Sequence, residues 1–169
     1  NGHKYRDGWV LNAAGNSFNN FYGFGRVNVD KAVTMAKNLS HNFSTLQIIE
    51  HNRPSIDLSV PDNLSSGAIV EIKDENGLTI EAVRLEINIS HTRASDVGIE
   101  VISPSGTKSI LLPINSHIVD KDIENHGFLT NAFFEESSSG TWKIKVIDGQ
   151  EDHPTLINDI KLKIWGHKK

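Results

Sequence analysis

Cysteine is absent from the 169 residues, so no disulfide framework and no thiolate metal site is open to the chain. Whatever stability it has must come from its core. Long hydrophobic runs are also missing. The longest, Ile110 to Ile114, is broken by Pro113 and falls far short of the ~20 residues that cross a bilayer, which excludes a membrane-spanning role. Basic charge is in deficit. Lys+Arg 17 against Asp+Glu 21 leaves a formal net charge of -4, which removes the electrostatic footprint of a nucleic-acid binder. Eight His residues are scattered rather than clustered. Gly-x-Ser-x-Gly does not occur, and no nucleophile stands beside a recognisable base. The sequence starts at Asn1 with neither an initiating Met nor a leader, and it reads as a partial or processed segment.

What is present divides in two. Residues 1–38 carry Gly-rich turns and one helical period. Val29, Ala32, Val33 and Ala36 make a single apolar stripe, which predicts a helix over 29–37. Asn28 is placed to cap it, Asp30 sits in the first turn and Lys37 in the last. The preceding Phe21-Tyr22-Gly23-Phe24-Gly25 predicts a tight, buried turn. One helix and one turn cannot build a core, so this segment is expected to pack on something outside the chain. Alone, residues 1–38 are expected to be poorly ordered or to self-associate. The polar stretch Asn38 to Asn42 is the expected domain junction.

Residues 42–169 alternate with the period of strands. Val83, Leu85, Ile87 and Ile89 share one face, and Val97, Ile99 and Val101 another. Trp142, Ile144 and Val146 repeat the pattern, as do Ile160, Leu162 and Ile164, with lysines between them. Leu46–Glu50, Ile56–Val60 and Ala68–Lys73 are further candidate strands. Asn76-Gly77, Ser103-Pro104-Ser105-Gly106 and Asp148-Gly149 supply turn chemistry. Seven to nine short strands with one-sided alternation predict an all-β, jelly-roll antiparallel sandwich of the galactose-binding-domain kind, with a short N-terminal helical segment.

Candidate chemistry is sparse. Asp120, Asp122 and Glu124, with Glu135-Glu136, read as solvated acidic loops, or as oxygen donors for Ca²⁺. Asp96 and Asp148 close strands beside turns, where shaping the backbone and serving a cation are both open. The Ca²⁺ candidates are therefore Asp96, Asp148, Asp120, Asp122 and Glu136, with no other cofactor implied. Ser103 and Ser105 read as turn formers and His126-Gly127 as a loop. Trp142 shares the core phase. Trp165 falls on the Lys161/Lys163 face, where it caps the sandwich or meets a partner. Asn38, Asn42, Asn63 and Asn88 each begin an Asn-x-Ser sequon.

The order of several segments resembles a known family. Ile89 to Thr107, Ser109 to Leu112, Gly127-Phe128, Phe133 to Ser137, Gly140 to Trp142, Val146 to Asp148 and Thr155 to Gly166 resemble the P domain (Homo B domain) of kexin- and furin-like convertases and their bacterial relatives. The match spans roughly residues 45–167. Two positions depart from the family pattern: Ser95 stands for a Gly, and Phe134-Glu135-Glu136 stands for Trp-Gly-Glu. Trp9 to Gly15, Tyr22 to Asp30 and Lys31 to Ala36 look like the end of a subtilisin-like catalytic domain. The resemblance implies residues 1–40 as the tail of that domain and 41–169 as the P domain. It implies a secreted serine endopeptidase whose catalytic residues all lie upstream, with none in this chain. The implied partner is the catalytic domain of the same protein, met through Phe21, Tyr22, Phe24 and Trp165, and the implied role is its stabilisation. The alternative is a secreted jelly-roll module that binds carbohydrate, matrix or host protein.

Overall fold

The structure is a computed structural model that describes residues 8–38, 44–62, 65–90, 93–116, 122–151 and 154–168. A two-stranded hairpin, β1 (Val10–Leu11) and β2 (Ser17–Phe18), precedes the helix α1 (Val29–Asn38). Nine strands follow. These are β3 (Gln47–Arg53), β4 (Leu58–Val60), β5 (Ala68–Asp74), β6 (Thr79–Ser90), β7 (Val97–Ile102), β8 (Lys108–Leu112), β9 (Ile123–Thr130), β10 (Gly140–Asp148) and β11 (Thr155–His167).

They form two antiparallel sheets packed face to face. One has the order β5-β10-β7-β8. The other has the order β3-β11-β6-β9, with β4 pairing the start of β11 ahead of β3. This is the jelly-roll sandwich expected. The alternation predicts which side chains face inward. Ile80, Val83, Leu85, Ile87 and Ile89 of β6 meet Ile157, Ile160, Leu162 and Ile164 of β11 on one layer. Val70 and Ile72, Val97, Ile99 and Val101, with Trp142, Ile144 and Val146, supply the other. Each such side chain contributes about 1.5–3 kcal/mol on leaving water. Trp142 is fully buried, edge-on to Phe133 at 5.2 Å, and its indole N–H donates to the Ser138 carbonyl at 2.9 Å. Burial of the large ring is therefore reached without stranding its polar atom.

One irregularity shows why alternation slips between Ile80 and Val83. A bulge shifts the register between Trp165 and Gly166. A Cβ at Gly166 would lie 2.2 Å from the Thr79 carbonyl oxygen, so only glycine allows this approach.

Several expectations change. Glu124 and the His126-Gly127 pair, each expected in a loop, lie on the strand β9. His126 is an exposed strand residue stacked on Phe128 at 4.5 Å. Its strand has a polar outer face, which diluted the apolar signal. The hairpin β1–β2 had no apolar periodicity to reveal it. The Phe21–Gly25 turn is tight, with Asn19 and Gly23 exchanging backbone hydrogen bonds at 2.8 Å. It is not buried: Phe21 and Tyr22 are 63% and 72% exposed. Of the expected junction Asn38 to Asn42, Asn38 is the last residue of α1 and residues 39–42 lie outside the described residues.

Candidate functional site

The site is where the N-terminal segment meets the sandwich. Its ligand-like half is the loop joining β1 to β2. Asn12 is buried, and its side-chain oxygen accepts the amides of Ala14 at 3.1 Å and Asn16 at 2.8 Å. Gly15 closes the loop by donating to the Asn12 carbonyl at 3.0 Å and takes φ +88°, a conformation glycine adopts without cost. The loop thus holds its own shape. That leaves the Asn12 amide free to donate outward, to the carbonyls of Ala132 at 3.1 Å and Phe134 at 2.9 Å.

The receiving half is built by the turn after β9 and the turn between β7 and β8. Glu136 is fixed by its backbone. The Ile80 amide donates to its carbonyl at 2.9 Å, and the neighbouring Glu135 amide donates to the Ile80 carbonyl at 2.8 Å. Its carboxylate is buried and accepts three kinds of donor. Ser103 Oγ donates to Oε2 at 2.6 Å, Thr107 Oγ1 donates to Oε1, and the Ala13 amide donates to Oε1 at 2.9 Å. Ser103 and Thr107 are themselves set by their turn, where Ser103 N–H donates to the Thr107 carbonyl at 2.9 Å and Thr107 N–H to Ser103 Oγ at 3.2 Å. Asn16 adds a bond from Nδ2 to Glu135 Oε2 at 2.9 Å. Phe24 packs on Phe18 at 5.3 Å and on Phe134 at 5.5 Å.

The expectation that residues 1–38 find no partner within the chain is therefore half replaced. The hairpin docks, through a charge-assisted polar junction. Most of the rest stays exposed. Among the described residues, nine of the thirteen exposed large hydrophobic residues lie between Trp9 and Met35, and α1 buries no residue at all. The cap on α1 is as read: Asn28 Oδ1 accepts the Lys31 amide at 3.0 Å.

The acidic candidates scatter. Glu136 is not solvated and is engaged as described. Asp96 is buried beside Arg93 Nε at 3.2 Å. Asp148 is buried, with Oδ1 accepting the Gln150 amide at 3.1 Å and Oδ2 accepting the Thr155 hydroxyl. Their chains meet where the Gly149 amide donates to the Asp96 carbonyl at 3.0 Å. Asp122 and Glu124 are exposed at the start of β9, and Asp120 lies outside the described residues. Among the described residues no three carboxylates or imidazoles gather where they could hold a metal ion. A Ca²⁺ ion wants six to eight oxygens, and the carboxylates of Glu136 and Asp148 already accept protein donors.

Trp165 sits half-buried on the outer face of its sheet, directly between Ile48 and Ala82. The next residue, Gly166, registers with Ile80, to which Glu135 and Glu136 of the docking junction are bonded. On the same face Glu86 lies among Arg84 at 3.4 Å, Lys163 at 3.3 Å and Lys161 at 3.7 Å. Burial alone would raise the Glu86 pKa. The hydrogen bond and charge of Lys163, with the charges of Arg84 and Lys161, outweigh burial and hold it below the ordinary value. Of the sequons, Asn88 is committed to Asp159, donating to both oxygens at 3.0 and 2.8 Å.

Sequence reasoning missed Asn12, Ser103 and Thr107 as docking residues. The available signal was an Asn followed by two small residues and a Gly, an Asx-turn pattern.

Residues 80–164 match the proprotein convertase P-domain family. The chain belongs to that family. It is 33% identical over 160 residues to the Aeromonas extracellular serine protease of Aeromonas sobria, covering 86% of this chain and 26% of the relative. It is 31% identical over 174 residues to human proprotein convertase subtilisin/kexin type 6, covering 96% of this chain and 17% of the relative. A crystal structure of the Aeromonas sobria serine protease with its chaperone ORF2 superimposes with a TM-score of 0.87 at 27% identity, covering 96% of this chain and 34% of that one. The chain thus spans about a quarter or less of these curated relatives. No helix among the described residues is long and apolar enough to cross a membrane.

Proposed function

We propose that this chain is the P domain of a secreted subtilisin-family serine endopeptidase together with the last segment of its catalytic domain, divided near residue 40. In this reading the chain contributes no catalytic group. The sandwich grips the end of the catalytic domain and so stabilises the folded protease. A contact present only in the native state raises stability by its full worth. The observation that carries this reading is the two-sided character of residues 8–38. One side docks on Glu136 and its neighbours. The other side leaves Phe21, Tyr22, Val29, Val33 and Met35 exposed. An apolar surface of that extent is a binding surface in waiting, and the bulk of a protease domain is the body of the right kind to cover it.

The test compares one substitution in two settings. In this chain Val33→Asp changes an exposed residue, and its melting temperature should move by less than about 2 °C. In the complete protease the same change places a carboxylate in a covered interface. It should lower the midpoint of thermal inactivation by several degrees, in line with a loss of about 2–3 kcal/mol. Equal effects in the two settings would sink the proposal.

A further inference from the structure

We infer that the sandwich holds the Asn12–Asn16 loop as a receptor holds a preformed peptide, so that the two parts stay together when the chain between them is cut. The inference deepens the reading above and rests on it only for the assignment of the loop to the catalytic domain.

Three observations carry it. First, the receptor is organised without the loop. Glu136 and Glu135 are pinned to Ile80, and Ser103 and Thr107 are pinned to each other. Second, the loop is organised without the receptor, through the two amides that Asn12 Oδ1 accepts and the Gly15 bond to the Asn12 carbonyl. When both surfaces are rigid beforehand, little ordering entropy is lost on contact. Third, the contact has the character of a recognition site. Asn12 Nδ2 reads two carbonyls, and the Ala13 amide meets a buried carboxylate and the Thr107 hydroxyl at 3.2 Å. Asn16 Nδ2 reaches Glu135. Asn12, Ala13 and Thr107 also line a cleft of about 370 Å³ between the hairpin and β8, together with Leu11, Lys108 and Ile110. The helix α1, which leads from the hairpin toward the sandwich, buries nothing. The hold therefore resides in the loop, with the Phe24 ring on Phe134 beside it, and not in α1. The ligand chemistry is an Asn-small-small-Gly turn presenting one side-chain amide and the next backbone amide.

The test uses the whole chain. A specific protease site is placed between residues 38 and 44, cut to completion, and the product is run on size exclusion with mass detection. The two pieces should co-elute. Asn12→Ala, which removes both bonds to the Ala132 and Phe134 carbonyls, should raise the apparent dissociation constant of the cut pieces at least tenfold, and Glu136→Gln, which replaces the buried carboxylate that the Ala13 amide meets, should raise it as well. Separation of the unmodified pieces on cutting would overturn the inference. So would cut variants that hold together as tightly as the parent, since the aromatic contact of Phe24 would then be sufficient. If Glu136→Gln disturbs the sandwich, seen as altered Trp142 fluorescence, Asn12→Ala decides alone, because it changes only the loop. Failure here would leave the comparison of Val33→Asp in the two settings untouched.

Discussion

Replacing Glu136 by Ala removes the acceptor at the centre of the docking junction. Three donors lose it: the Ser103 and Thr107 hydroxyls and the Ala13 amide. A buried donor left without a partner costs about 1–3 kcal/mol. The full sum overstates the effect. The Ala13 amide keeps Thr107 Oγ1 at 3.2 Å as a second acceptor, and hydroxyls can turn. A water entering the vacated space would recover part of the loss. The net expectation is about 3 kcal/mol, at the upper end of ordinary single substitutions. For a chain of this size that corresponds to a fall of roughly 6–12 °C in melting temperature. Thermal unfolding by circular dichroism reads the global loss. Amide exchange reads the local one, and the Ala13 and Asn16 amides should lose protection by more than the sandwich strands do. Glu136→Gln, which keeps one acceptor oxygen in place, should cost less than the Ala change. A Glu136→Ala protein melting within about 2 °C of the parent, with Ala13 exchange unchanged, would refute the argument.

Gly67 has φ +57°, and a Cβ there would lie 2.2 Å from the Val146 carbonyl oxygen, so Gly67→Ala should destabilise by about 3 kcal/mol or more in denaturant titration. Trp142→Phe leaves the Ser138 carbonyl without its indole donor and opens space beside Phe133, and should cost about 2 kcal/mol while abolishing the blue-shifted part of the tryptophan emission. Trp9, which is 54% exposed, should supply most of the emission that iodide quenches. The lowered pKa of Glu86 means that its contribution to stability is present above its unfolded-state value, near 4.5, and is lost as pH falls through its lower folded-state value. Glu86→Gln should therefore be less stable than the parent at neutral pH, and the gap should close in acid melts.

The sandwich was legible because its inward positions alternate cleanly. From Val83 to Ile89, from Trp142 to Val146 and from Ile160 to Ile164 every second residue is Val, Leu, Ile or Trp, and each of these is buried. The turns were legible where a residue type carries the backbone requirement, as Gly77 and Gly106 do with positive φ. At Asp148-Gly149 the requirement is different. Gly149 has no positive φ, and its missing Cβ instead makes room for Ile114. β9 escaped because Glu124, Asn125 and His126 face solvent in succession.

Composition and periodicity by themselves determined the all-β sandwich and the capped helix at residue 29. Those features depend on neighbours in the chain, which a sequence displays directly. Only the tertiary structure decided that Glu136 is a buried anchor rather than a solvated acid, and that Asn12, some 120 residues away, is what it helps to hold. The Glu136 carboxylate is worth burying only because Ser103 and Thr107 arrive from one turn and Ala13 from another. No local pattern encodes that meeting. The same distinction applies to the apolar residues from Trp9 to Met35. Their hydrophobicity is written in the sequence, but that they remain uncovered is a fact of packing.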